Sequence, residues 1–207
     1  MNVLIADDHA VLREGIKSLL NSLGTITGID EAVNGSEALA KIKNNDYDLV
    51  ILDISMPGNS GLDILRQIKA TKSHIRPLVI SFYPESQYAA RAFKLGAVGY
   101  ISKGASFAEI KKAIRKVSEG GRYVSPEFAE KLAFANNIDL APHERLSERE
   151  FQIMIMLAKG ESATAIARQL FISEKTVSTY RSRVMKKMDL NNNAELTIYA
   201  MQNGLIV

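Results

Sequence analysis

Leu49-Val50-Ile51-Leu52-Asp53-Ile54-Ser55-Met56-Pro57-Gly58 is the most informative stretch of this 207-residue chain. Aliphatic residues run up to a carboxylate without a polar break, and a Pro-Gly turn signal follows. A run without alternation suits a strand covered on both faces, as in a parallel sheet. Asp53 then stands at the carboxyl end of that strand. Taken alone, it reads equally well as a turn residue.

The neighbouring sequence repeats the pattern. Strand-like runs are expected at residues 3–7, weakly at 29–33, and again at 49–54, 78–82 and 99–102. Segments of helical period lie between them. Val11, Ile16, Leu19, Leu20 and Leu23 share one face of the first, and Ile110, Ala113, Ile114 and Val117 share one face of the last. Five β-α units in series predict an α/β domain with a parallel sheet wrapped by helices on both sides. Ligands of such sheets bind at the carboxyl ends of the strands. The alternation therefore gathers Asp7 and Asp8, Asp53, Ser81 and Lys103 along one edge. Singly, Asp7 or Asp8 reads as a helix cap, and Ser81 and Lys103 carry little. Jointly they form an acidic pocket. Two carboxylates about 4 Å apart repel by about 4 kcal/mol at an effective dielectric near 20. Such a cluster calls for a hard cation, and oxygen ligands with water suit Mg²⁺. A carboxylate beside that ion and a lysine can act as a nucleophile towards a phosphoryl group.

The α/β pattern stops at Gly120-Gly121. A short helix is expected near residues 127–135, and the polar, Pro-containing stretch 136–143 reads as a linker. This gives domains at 1–121 and 145–207, joined by 122–144. The second domain is all-α. Ser147 and Glu150 form a capping box, Gly160 ends that helix, and a short helix follows over 162–170. Ser173 caps a long helix to Met188, and a last helix covers 193–203. On the long helix, Val177, Tyr180, Val184 and Met188 share an apolar face that reads as core. Short hydroxyl residues and cations lie opposite. A short helix, a tight turn and this long helix make a helix-turn-helix, whose second helix enters a DNA major groove. By itself the polar face would be only a solvated helix surface.

Composition narrows the field. Hydrophobic residues are 46%, charged residues 24%, and the net charge is +3. There is no cysteine, which excludes disulfides and thiolate chemistry. No apolar run approaches a membrane span, the N-terminus does not read as a secretory signal, and a cytoplasmic protein is expected.

The stretches LIADDHAVLREGI (4–16), VILDISMPGNSGLDIL (50–65), VISFYPESQYAARAFKLGAVGYISK (79–103) and IRKVSEGGRYVSPE (114–127) resemble a receiver domain of the NarL/FixJ type. The resemblance covers nearly all of the first 126 residues. It implies a doubly wound (βα)5 sheet in order 2-1-3-4-5. It makes Asp53 the phosphoacceptor, and Asp8, Asp53 and the Ser55 carbonyl direct Mg²⁺ ligands, with Asp7 acting through water. Lys103 and Ser81 would contact the phosphoryl group, and Tyr100 would be the aromatic that swings inward. One departure is Phe82, where many receivers carry a small residue; a ring there is expected to slow loss of the phosphate.

Residues 146–196, LSEREFQIMIMLAKGESATAIARQLFISEKTVSTYRSRVMKKMDLNNNAEL, resemble the LuxR-type DNA-binding domain, a four-helix fold. By that resemblance Ser178, Thr179 and Ser182 read bases. Lys175, Thr176, Tyr180, Arg181 and Lys186 contact the DNA backbone, unless Tyr180 is core. Asp189 stands where the family commonly has Gly. Together the two resemblances imply a two-component response regulator. Its partners would be a sensor histidine kinase and double-stranded DNA, bound as a homodimer, with no membrane involved. It would not be a conventional enzyme beyond weak self-catalysed phosphorylation and dephosphorylation. An aspartyl-phosphate phosphatase or mutase is the enzymatic alternative. Many of those carry a second Asp two residues after the nucleophile, where this chain has Ser55. A constitutive DNA binder with a scaffold receiver is the other alternative.

Overall fold

A computed structural model describes residues 1–134 and 141–206. Most of the expected linker, and the last residue expected in the short helix, lie outside the described residues. The chain divides into two compact units, Met1–Phe134 and Ala135–Val207.

In the first unit, five strands alternate with helices: β1 Asn2–Ala6, α1 Ala10–Asn21, β2 Gly28–Ala32, α2 Gly35–Asn44, β3 Leu49–Leu52, α3 Gly61–Thr71, β4 Arg76–Ser81, α4 Glu85–Lys94, β5 Gly99–Ser102 and α5 Phe107–Ser118. The sheet is parallel throughout in order β2-β1-β3-β4-β5. Pleating sends alternate residues to opposite faces. Val3, Ile5, Leu49, Ile51, Leu78 and Ile80 pack with Ile16 and Leu20 of α1 and with Ile110, Ile114 and Val117 of α5. Leu4, Ala6, Val50, Leu52 and Val79 between them are equally buried, so the sheet is covered on both faces as the unbroken aliphatic runs require.

Strand ends differ from the sequence reading by a residue or two. β1 ends at Ala6 and β3 at Leu52, so Asp7 and Asp53 are the first residues beyond their strands. β4 begins at Arg76, ahead of the expected start. Pro77 takes part because its carbonyl accepts the Val98 amide at 2.8 Å, a role that needs no N–H. Beyond α5 the chain returns to the sheet. Tyr123 donates its amide to Val98 and accepts that of Tyr100, at 3.0 and 3.1 Å. The helix α6, Pro126–Phe134, follows, with its first turn pinned where Phe128 stacks on Phe93 of α4. Residues 122–134 are thus part of the first compact unit.

The second unit opens with a 3-10 turn, Pro142–Arg145, and continues as α7 Glu148–Ala158, α8 Ala163–Gln169, α9 Glu174–Met188 and α10 Asn193–Gln202. Ser147, Ser162, Ser173 and Asn192 each cap a helix through the side chain, and Ser147 with Glu150 completes a capping box. Phe151, Ile153, Met154, Ile166, Val177, Val184, Met188 and Leu196 fill the core.

Candidate functional site

The loops at the carboxyl ends of β1, β3, β4 and β5 assemble the pocket. The Asp53 amide bonds to the Ala6 carbonyl at 2.9 Å, which extends the strand pairing by one step. α3 starts hard against the same backbone: a Cβ on Gly61 would lie 2.1 Å from the Asp53 carbonyl oxygen, so only glycine lets that helix approach. Asp7 and Asp53 are buried, and between them sits the buried ammonium of Lys103. Its Nζ is 2.8 Å from Asp7 Oδ2 and 2.7 Å from Asp53 Oδ2. The Ser55 amide donates to Asp53 Oδ1 at 3.1 Å. Asp8 lies at the rim.

Ser81 is fully buried at the end of β4, and its Oγ accepts the Tyr83 amide at 3.3 Å. Tyr100 is also buried, and its hydroxyl donates to the Tyr83 carbonyl at 2.8 Å. The inward position of that ring is therefore already occupied. Phe82 points outward, 67% exposed, with its ring centre 5.2 Å from Lys103 Nζ.

His9 was not among the expected residues. Its Nδ1 lies 2.8 Å from Asp8 Oδ1, 3.1 Å from Asp7 Oδ1 and 3.3 Å from Lys103 Nζ, and its ring meets Phe82 edge-on. The usable sequence signal was its place directly after Asp7-Asp8 on the same strand end.

Three carboxylates face one ammonium here. Burial pushes the Asp53 carboxyl above its ordinary range; the Lys103 charge opposes this and Asp7 reinforces it. Burial likewise raises the Tyr100 phenol. Asp7, Asp8, His9 and Asp53 present ligand atoms within 4.8 Å of one another. Carboxylate oxygens in excess of cations fit a small hard dication.

In the second unit, α9 carries the other set of expected residues. Lys175, Ser178, Thr179, Ser182 and Lys186 are exposed, while Thr176 and Arg181 are half-buried. Val177, Val184, Met185 and Met188 face the core, with Tyr180 half-buried at its edge. Arg181 Nε donates to Asn193 Oδ1 at the start of α10, at 2.9 Å. Arg183 lies over the Tyr180 ring, 5.8 Å from its centre. Lys187 pairs with Glu150 Oε2 at 2.6 Å, so the cation binds α9 to the capping box of α7. Burial works to raise the Glu150 carboxyl, but the bonds from Lys187 and Ser147 outweigh it and hold it below its ordinary range.

Comparison with known proteins agrees with both halves. Residues 3–115 match the response regulator receiver domain, and residues 144–200 match the luxR family of bacterial regulatory proteins. The chain belongs to the response regulator family. This response regulator is 36% identical to the response regulator UvrY of Escherichia coli, over 99% of this chain and 95% of that one. It is 34% identical to the response regulator GacA of Pseudomonas aeruginosa, over 100% of this chain and 98% of that one. A solved structure of RcsB from Salmonella enterica serovar Typhimurium, bound to promoter rprA in the presence of phosphomimetic BeF3-, aligns with a TM-score of 0.64 at 25% identity. It covers 96% of this chain and 98% of that one. In this response regulator the acidic pocket falls inside the receiver match and α9 inside the luxR match. Among the described residues, no helix is long and apolar enough to cross a membrane.

Proposed function

We propose that this response regulator is switched by phosphorylation of Asp53 and acts by binding double-stranded DNA through α9. The observation that carries the proposal is the Asp7–Lys103–Asp53 triangle, buried at the mouth of the sheet with Asp8 at its rim. The phosphodonor is the phosphohistidine of a sensor kinase. An Asp53 carboxylate oxygen forms a bond to phosphorus as the phosphorus–nitrogen bond breaks, and the histidine nitrogen takes up a proton. Asp8, Asp53 and the Ser55 carbonyl would hold Mg²⁺, with Asp7 acting through water, and the ion would supply positive charge for the transferring oxygens.

Lys103 is already 2.7 Å from the acceptor carboxylate, in place to pair with the phosphoryl oxygens. Ser81 supplies a hydroxyl and Tyr100 the packed aromatic whose hold on Tyr83 responds to it. The Phe82 ring beside Lys103 slows loss of the phosphate, and Phe82→Ala should shorten its half-life. Self-catalysed phosphorylation by small donors and self-dephosphorylation are weak, so the protein is a regulator and not a conventional enzyme. It works in the cytoplasm, where both kinase and DNA are met.

At the other end, Ser178, Thr179 and Ser182 face base edges. Lys175, Thr176, Arg181 and Lys186 contact the sugar–phosphate backbone, which sets register without reading sequence. Two copies bind paired half-sites. The coupling between phosphate and DNA needs only about 1–3 kcal/mol. The test is DNA selection from a random pool, followed by binding with and without a small phosphodonor and Mg²⁺. Wild type should gain roughly tenfold in affinity on phosphorylation, towards the lower end of that coupling range, and Asp53→Asn should gain nothing. Equal affinity in all four conditions would leave a constitutive DNA binder.

A further inference from the structure

Two of the three hydroxyls on the outer face of α9 are already engaged. Thr179 Oγ1 donates to the Lys175 carbonyl at 2.9 Å, and Ser182 Oγ donates to the Ser178 carbonyl at 3.1 Å. These bonds run back four residues along the same helix and satisfy each hydroxyl proton without a ligand. Ser178 Oγ has no such partner among the described residues. Thr179 is exposed and lines a hollow of about 370 Å³ together with Ser173, Lys175, Thr176, Tyr180 and Arg183. With its hydroxyl turned onto the helix, the group Thr179 offers a neighbour is its methyl. Two cations flank it, one of them, Arg183, carried over the Tyr180 ring.

An apolar group set between phosphate-gripping cations matches one feature of the major groove. The C5 methyl of thymine is an apolar mark there, and the threonine methyl is among its usual contacts. We propose that Thr179 selects a thymine through methyl–methyl contact, while Ser178 keeps its proton for a base acceptor. This rests on α9 being the groove-reading helix. It goes further by assigning Thr179 the base it reads and the group that reads it. The alternative use of the same side chain, donation to a guanine or adenine nitrogen, would first require breaking the bond to the Lys175 carbonyl.

The test uses the full chain, activated with beryllofluoride and Mg²⁺, on a half-site selected from a random DNA pool. Each thymine is replaced in turn by uracil, which lacks only the C5 methyl. One position should weaken wild-type binding about fourfold, the ratio expected for one buried methyl-sized group. Thr179→Ser keeps the hydroxyl and should bind thymine and uracil sites equally. Thr179→Val keeps the methyl and should still discriminate. The thermal unfolding of both variants is compared with wild type, to separate misfolding from lost contact. A selected site in which no uracil matters to folded wild type overturns the inference and leaves the DNA-binding reading intact. So does undiminished discrimination by Thr179→Ser, or loss of it in a folded Thr179→Val. A pool that yields no preferred sequence overturns the DNA-binding reading and this inference with it.

Discussion

The acidic pocket and the outer face of α9 both depend on charge, but they hold it in opposite ways. In the pocket, Lys103 and its two carboxylate partners are almost wholly removed from water. On α9, Lys175, Arg183 and Lys186 stand in solvent. Buried charges depend on each other, so one deletion strands the rest. Exposed charges act nearly independently, and each is worth little until a polyanion arrives. The first region is built to change state, the second to add up contacts. The sharpest way to break this contrast is Lys103→Ala. It leaves Asp7 and Asp53 buried without their shared cation, and should cost the receiver about 3–5 kcal/mol in a urea titration without metal. Mg²⁺ should restore part of the loss. A cost no greater than that of Lys186→Ala would mean the pocket charges are not coupled.

Asp53 itself should show the next effect. Its carboxyl is held above the ordinary range by burial. A group raised on folding contributes stability that is complete below its unfolded value, near pH 4, and is lost as the pH rises through the folded value. Metal-free wild type should therefore lose receiver stability from acid towards neutral pH relative to Asp53→Asn, which has no proton to lose. The gap between their urea midpoints should widen with pH and shrink when Mg²⁺ is added. A constant gap would show that Lys103 fully offsets the burial of Asp53.

The cations of α9 are not alike, and two substitutions separate them. Arg183 is exposed over Tyr180, whereas Lys187 is tied to the buried carboxylate of Glu150. Lys187→Ala should destabilise the second unit by about 1–2 kcal/mol, because Glu150 keeps its capping bonds but loses its cation. It should leave the salt dependence of DNA binding unchanged. Arg183→Ala should do the reverse, flattening the slope of log affinity against log salt by about 0.9 with no change in unfolding. If both variants flatten the slope, Lys187 leaves Glu150 when DNA binds.

These distinctions mark where the sequence stops being legible. The βα order alone put Asp7, Asp8, Asp53, Ser81 and Lys103 on one edge, because a parallel sheet allows only one edge for strand ends. Likewise, caps at Ser147 and Ser173 and the apolar stripe of α9 follow from local chemistry and period. Period fixes which face a residue takes but not what it meets there. On a helical wheel Lys187 falls beside Arg181 and Arg183, on the flank of the polar face of α9. Its partner, Glu150, comes from another helix, and only the packing of α7 on α9 shows it. His9 has no periodic signature at all; the turn after β1 brings its ring over the pocket. The return of the chain through Tyr123 to β5 is made by backbone groups, which every residue carries.

Asp189 gives the smallest effect and the most local one. It ends α9 in the left-handed region, at φ 55° and ψ 47°, with its amide bonded to the Met185 carbonyl. The Leu190 amide reaches the same carbonyl at 3.0 Å. That geometry closes the helix correctly but places a side chain where L-residues are crowded, at roughly 1 kcal/mol. Aspartate tolerates the region better than most residues, yet it also sets a negative charge at the negative end of the helix dipole. Glycine removes both penalties but has more freedom to lose on folding, about 0.5–1 kcal/mol. The terms nearly balance, and the dipole term tips them. Asp189→Gly should raise the stability of the second unit by about 0.5 kcal/mol at low salt, within the usual range for a charge at a helix end. The gain should shrink as salt screens the charge. Asp189→Asn, which keeps the tolerance and removes the charge, should recover most of it. If Asn gives nothing while Gly stabilises at all salt concentrations, the backbone and not the charge is what aspartate strains at this turn.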